Sequence, residues 1–170
     1  MDSGELECLI NKDSNVLHHY SGSIYSYDTL PDQLVSNTFY ICNDKSSTSN
    51  WDIPGHWVTF LRFPQYCLYL DSFGLKVEPQ FLLPLANKCD VPIFYLNVHL
   101  QNINCSTCGM HSIVFCSFFS YGWSVEQILE QWYDIYDSKG ISNDPYFFDH
   151  KAQLFIAIFY GEYRSIFYDF

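Results

Sequence analysis

Basic residues are scarce in this chain: Lys and Arg number 8 against 19 Asp and Glu, a net charge of −11. From Lys12 to Arg164 no two of them are adjacent, so there is no stripe to follow a phosphate backbone and no patch for an anionic headgroup surface. Nucleic-acid and membrane partners are therefore disfavoured. Long apolar runs are missing too, since no stretch approaches the roughly 18 consecutive apolar residues of a spanning helix. Met1-Asp2-Ser3-Gly4-Glu5 has neither the basic n-region nor the apolar h-region of a secretory signal, which points to an intracellular location. There thiols stay reduced, and 7 cysteines cannot all pair within one chain. A disulfide framework is not expected, and at least one thiol is available for reaction. What the chain has in quantity is bulk: Phe 15, Tyr 14 and Trp 4 in 170 residues, 48% of them hydrophobic. That supplies a core for a single domain spanning 1–170.

Residues Asn37 to Cys42, His56 to Phe63 and Tyr66 to Leu70 have the aromatic and β-branched content of strands, and Pro64-Gln65 predicts a tight turn between the last two. The Ser-, Asn-, Asp- and Thr-rich stretch from Asn43 to Gly55 reads as a loop. Glu78 to Asn87 reads as a short helix interrupted by Pro84, and Pro92 to Leu100, nearly all apolar, as a buried strand. The apolar run from Cys108 to Tyr121 is too long for a strand and reads as a buried helix. Ser124 and Gln127 form a capping-box pattern opening another, with Val125, Ile128, Leu129 and Trp132 on one face. A further helix is expected from Phe147 to Phe159. Together these predict an α+β fold, with a central mainly antiparallel sheet and helices packed on it.

The hairpin carries the chemistry. A turn at Phe63 to Tyr66 sets residues whose numbers sum to about 127–129 opposite each other, a spacing that follows from cross-strand pairing. His56 then faces Asp71 directly or diagonally, close enough for a carboxylate to fix the imidazole's tautomer and stabilise its charged form. Cys108 follows Ser106-Thr107 and opens the apolar helix, where free N–H groups and the macrodipole favour a thiolate. Its neighbour Gly109 permits close approach of a substrate. Gln101, seven residues before Cys108, suits the second arm of an oxyanion hole. Trp57 has two readings, as core or as a screen of the His–Cys pair from water. Cys105-Ser-Thr-Cys108 also matches a redox C-x-x-C pattern, and Cys105, Cys108, His111 and Cys116 loosely imitate a zinc series. Cys8, Cys42, Cys67, Cys89 and Cys116 read as small buried hydrophobes.

Through Gly55-His56-Trp57, Leu70-Asp71-Ser72-Phe73-Gly74 and Gln101-x6-Cys108-Gly109, in that order, the chain resembles the adenain clan of cysteine peptidases. That clan holds the adenovirus maturation protease, its relatives in Polinton and virophage elements, and the ubiquitin-like-protein proteases. Gly22 to Pro31 also resembles the N-terminal segment of the viral branch. The resemblance implies a papain-like, adenain-like fold and a viral thiol protease. It would use Cys108 as nucleophile, His56 as base, Asp71 as orienter and Gln101 as oxyanion donor, with Trp57 and Gly109 at the substrate, and with no metal and no cofactor. The implied substrate is a capsid or other virion precursor cut at Gly-containing sites, in the infected cell and the virion. A short activating peptide is a possible partner by the same resemblance. Deconjugases of the clan place Gln six residues before Cys and favour an acidic residue there, whereas this chain has seven and Thr107. A ubiquitin-like-modifier deconjugase and a non-catalytic scaffold are the alternative readings.

Overall fold

In the computed structural model, residues 1–49, 55–130 and 145–161 are described. Among them five strands form one sheet in sequence order: β1 Tyr20–Ser26, β2 Thr38–Asn43, β3 Trp57–Arg62, β4 Cys67–Asp71 and β5 Ile93–Tyr95. The helices are α1 Ser3–Ile10, α2 Ser14–His19, α3 Pro79–Lys88, α4 Cys108–Ser120, residues 125–130 as α5, and α6 Phe147–Tyr160. The fold is α+β, as the sequence predicts. The sheet is mixed: β2, β3 and β4 pair antiparallel, and the outer pairs, β1 with β2 and β4 with β5, run parallel.

Every residue of β3 and β4 is buried, and alternation divides them between the two faces. Leu61, Leu68 and Leu70 join α1, α4, α5 and α6 in one cluster. Val58, Phe60, Cys67 and Tyr69 join Phe81 and Leu85 of α3 in the other. The chemistry-bearing hairpin is thus packed on both sides, which fixes its register, because a one-residue slip would turn each side chain to the wrong face. Phe60 is fully buried, with its ring 5.5 Å from that of Tyr69 and 5.6 Å from that of Phe81. Phe60→Ala is expected to cost about 3–5 kcal/mol of stability, read as a lowered denaturant midpoint with an unchanged slope.

Some expectations needed correction. The strand expected over Pro92 to Leu100 is confined to Ile93–Tyr95 and lies at the sheet edge, with Phe94 and Tyr95 exposed. A continuous apolar run does not distinguish an edge strand followed by irregular chain from a buried strand. Gln101 consequently stands in a loop. Pro84 sits inside α3 without ending it. Cys8 is exposed, while Cys42, Cys67, Cys89 and Cys116 are buried. The Ser124–Gln127 capping box is present, with the Ser124 N–H donating to Gln127 Oε1 at 2.8 Å and the Gln127 N–H to Ser124 Oγ at 3.2 Å. Trp132 and residues 50–54 of the expected loop lie outside the described residues. Among the described residues no helix is long and apolar enough to cross a membrane.

Candidate active site

Val58 of β3 pairs with Asp71 of β4, a sum of 129, so His56, two residues earlier, stands diagonal to Asp71. His56 Nε2 lies 2.9 Å from Asp71 Oδ1. The His56 backbone is held from both sides by Asp44, whose Oδ1 accepts the His56 N–H at 2.7 Å and whose N–H donates to the His56 carbonyl at 3.0 Å. With Nε2 turned to Asp71, Nδ1 is the ring nitrogen left for Cys108, which stands near enough for the imidazole and the thiol to shift each other's pKa. Cys108 is the first residue of α4 and half-buried.

The electrostatics of this pair favour separated charge. Burial presses the His56 pKa down, but the Asp71 carboxylate that accepts from its ring and the nearby negative charge of Cys108 and Asp71 outweigh it and push it up to about 10. Burial raises the Cys108 thiol, yet the hydrogen bond and charge of His56, with the backbone N–H groups of Trp57 and Gly109, bring it below the ordinary thiol value. Thiolate beside imidazolium is the arrangement expected of an activated cysteine.

Asp71 is buried, and its Oδ1 also accepts the Phe73 N–H at 2.8 Å. That bond fixes the carboxylate in a tight turn closed by the Gly74 N–H on the Asp71 carbonyl at 2.9 Å. Gly74 is required there: its φ is +69°, and a Cβ would lie 2.8 Å from the Val98 backbone. The ring of Phe73 stacks on His56 with centroids 4.8 Å apart. Ser72 takes the other half of the site. Its Oγ donates to Gln101 Oε1 at 2.6 Å, and its carbonyl accepts the N–H groups of Leu100 and Gln101, each at 2.8 Å. Ser72 and Cys108 border one small void with Thr59 and His111. Gln101 is buried and its Nε2 donates to the Cys105 carbonyl at 2.6 Å. Because a carbonyl only accepts, this bond decides which end of the amide is nitrogen. One of the two amide protons is used there.

The structure bonds His56 to Asp71, places Cys108 within electrostatic reach of His56, and ties Gln101 to the residue beside Asp71. Trp57 is buried against the core and donates its indole N–H to the Met1 carbonyl at 2.8 Å. It also lines a cavity of about 640 Å³ with Met1, Tyr25, Asn43 and Gly55. At Gly109 the space for a Cβ is taken by Met1, 3.1 Å away, so Gly109 accommodates this chain's own N-terminal segment. The groups needed for the rival readings are drawn elsewhere: His111 Nε2 lies 3.3 Å from Asp149 Oδ1, and burial with the Asp149 charge raises the Cys105 thiol. Among the described residues no group of three His, Cys, Asp or Glu side chains could hold a metal ion.

Sequence reasoning passed over the roles of Ser72 and Phe73, although they adjoin Asp71, and missed Asp149 altogether. Asp149 falls on the buried stripe of α6 with Ala152, Ile156 and Tyr160. A charge in helical register with an apolar face was the available signal.

No family model matches the chain, and no curated protein matches it. Among solved structures it is similar to a selenomethionine form of the ASFV pS273R protease, with 15% identity over 75% of this chain and a TM-score of 0.39. It is also similar to a second crystal structure of the ASFV pS273R protease, with 12% identity over 80% of this chain and a TM-score of 0.46. The chain spans 44% and 60% of the length of those two chains.

Proposed function

We propose that this chain is a cysteine endopeptidase of viral or virus-like type that cuts capsid or other virion precursor proteins, at sites containing glycine. The observation that carries the reading is the linked series Asp71–His56–Cys108, with a 2.9 Å bond at its first step and the thiol at a helix N-terminus. In the proposed reaction the Cys108 thiolate attacks the scissile carbonyl carbon, and the carbonyl electron pair moves to oxygen. The second Gln101 N–H and the Cys108 backbone N–H receive that oxyanion. As the tetrahedral species collapses, the His56 imidazolium gives its proton to the leaving amine and a thioester remains. His56 then takes a proton from water, the resulting hydroxide adds to the thioester carbonyl, and collapse breaks the C–S bond, releasing the acid product and restoring the Cys108 thiolate beside the His56 imidazolium. Asp71 holds the ring and its charge throughout.

The glycine preference, the viral setting, an activating peptide and action as one catalytic domain belong to the same proposal and rest on the sequence resemblance. The net charge of −11 argues against DNA as an activator. Incubation of the wild type with a capsid precursor from the same genome, and separately with ubiquitin-like fusions, tests it. Cleavage of the precursor is the expected result. Cleavage of the fusions alone would make the chain a deconjugase, and inertness toward both, with an unreactive Cys108, would make it a scaffold.

Asp71→Asn keeps an acceptor for His56 and Phe73 but removes the negative charge. It is expected to lower kcat roughly tenfold, corresponding to about one unit lost from the imidazole's stabilisation, with the fold retained by circular dichroism. An unchanged kcat would remove Asp71 from the mechanism.

A further inference from the structure

Asp149 is fully buried in the first turn of α6, far along the sequence from the hairpin. A buried carboxylate is costly unless hydrogen bonds compensate it, and the donors here come from one short stretch of chain. Its Oδ2 accepts the Asn102 N–H at 2.8 Å. Its Oδ1 accepts the Thr107 hydroxyl and lies 3.3 Å from His111 Nε2. The Cys105 thiol lies near it, its pKa raised by burial and by the Asp149 charge. Asn102 Nδ2 adds a bond to the Pro145 carbonyl at 3.2 Å, just ahead of the same helix.

All three partners, Asn102, Thr107 and His111, lie between Gln101 and the first turn of α4. Thr107 is the N-cap residue of α4, yet its hydroxyl makes no capping bond; it is turned to Asp149 instead, at the expense of a contact usually worth about 1 kcal/mol to a helix. The loop held in this way supplies the Cys105 carbonyl that fixes Gln101 Nε2. A displacement of the loop would therefore move the amide and the start of α4 relative to each other.

We propose that Asp149 is a positioning residue for the nucleophile loop: by clamping residues 102–107 at both ends it sets the separation between the Gln101 amide and Cys108, and so shapes the oxyanion hole. This rests on the peptidase reading above. Asp149 touches neither Cys108 nor His56 through any bond described, so its influence falls on stabilisation of the oxyanion and leaves thiolate formation alone.

Two measurements on the full chain separate these effects. One is hydrolysis of a fluorogenic peptide amide with glycine before the scissile bond, which needs the oxyanion hole. The other is alkylation of Cys108 by iodoacetamide, a displacement at saturated carbon that needs only the thiolate. Asp149→Asn is expected to lower kcat about 100-fold, in line with the cost of misplacing reacting groups by about 1 Å. KM and the alkylation rate should stay within about twofold, the pattern of a contact made only in the transition state. Thr107→Val, nearly isosteric, is expected to lower kcat about tenfold by the same route, and it decides the matter if Asp149→Asn does not fold. Unchanged kcat in a folded variant, or alkylation slowing in proportion to kcat, would overturn the proposal. If the wild type neither cleaves the peptide nor alkylates faster than free cysteine, the peptidase reading falls and takes this one with it. Wild-type turnover alongside an indifferent Asp149→Asn sinks the Asp149 assignment alone.

Discussion

Cys108→Ala is expected to reduce turnover by on the order of 10⁶, the loss seen when a nucleophile is removed from a cooperating triad. Burial raises Cys42, Cys67, Cys105 and Cys116, whereas Cys108, at the start of α4 beside His56, is lowered. The pH dependence follows from the two partners. The Cys108 pKa lies below the ordinary thiol value and that of His56 is up to about 10, so the thiolate–imidazolium pair is populated between them. Activity should fall on the acid side as the thiolate is protonated, and on the alkaline side as His56 loses its proton near that upper value. His56→Ala removes the group that lowers the thiol while leaving the burial that raises it. Its alkylation midpoint should therefore shift upward, and its rate at neutral pH should drop. A wild-type alkylation profile with the midpoint of free cysteine, unaltered in His56→Ala, would refute the assignment of Cys108.

Loss of the Gln101 amide is the second large effect. Gln101→Ala is expected to lower kcat about 10²–10³-fold, equivalent to about 2.7–4 kcal/mol, as for removal of one oxyanion-hole donor. Alkylation of Cys108 should continue near the wild-type rate, since no oxyanion forms in that reaction. Stability should fall as well, because truncation leaves the Ser72 hydroxyl and the Cys105 carbonyl without their buried partner, at about 1–3 kcal/mol for each unsatisfied group. Gln101→Glu still accepts from Ser72 but offers a donor neither to the Cys105 carbonyl nor to the oxyanion. Full turnover by a folded Gln101→Glu would remove Gln101 from the oxyanion hole.

Where a local rule fixed the outcome, the sequence was readable. The proline-containing turn set the hairpin register, and with it the diagonal placement of His56 and Asp71. The long apolar run beginning at Cys108 ended within a residue of the helix observed. The N-terminal elements were not foreseen, for two different reasons. α1 announces itself through a capping box, Asp2 with Glu5, and that signal was readable but passed over. β1 is Tyr-Ser-Gly-Ser-Ile-Tyr-Ser, poor in strand formers, and it exists because it pairs in parallel with β2 across an irregular register. No local preference dictates such a tertiary pairing. In the site, the residues proposed to react stood out by type and order, and those hydrogen-bonded around them did not. Ser72 and Asp149 act through distant partners at positions 101, 102 and 107, and those partnerships exist only once the chain is folded.

Asp71 and Ser72 are consecutive, and one steadies the ring while the next steadies the amide. A rigid peptide unit holds their α-carbons about 3.8 Å apart, so neither duty can be displaced without the other. Drift can exchange one acidic side chain for a near equivalent. An inserted or deleted residue at that junction would instead put base and amide out of step in a single event, and surface loops elsewhere are the better places for this gene to change length.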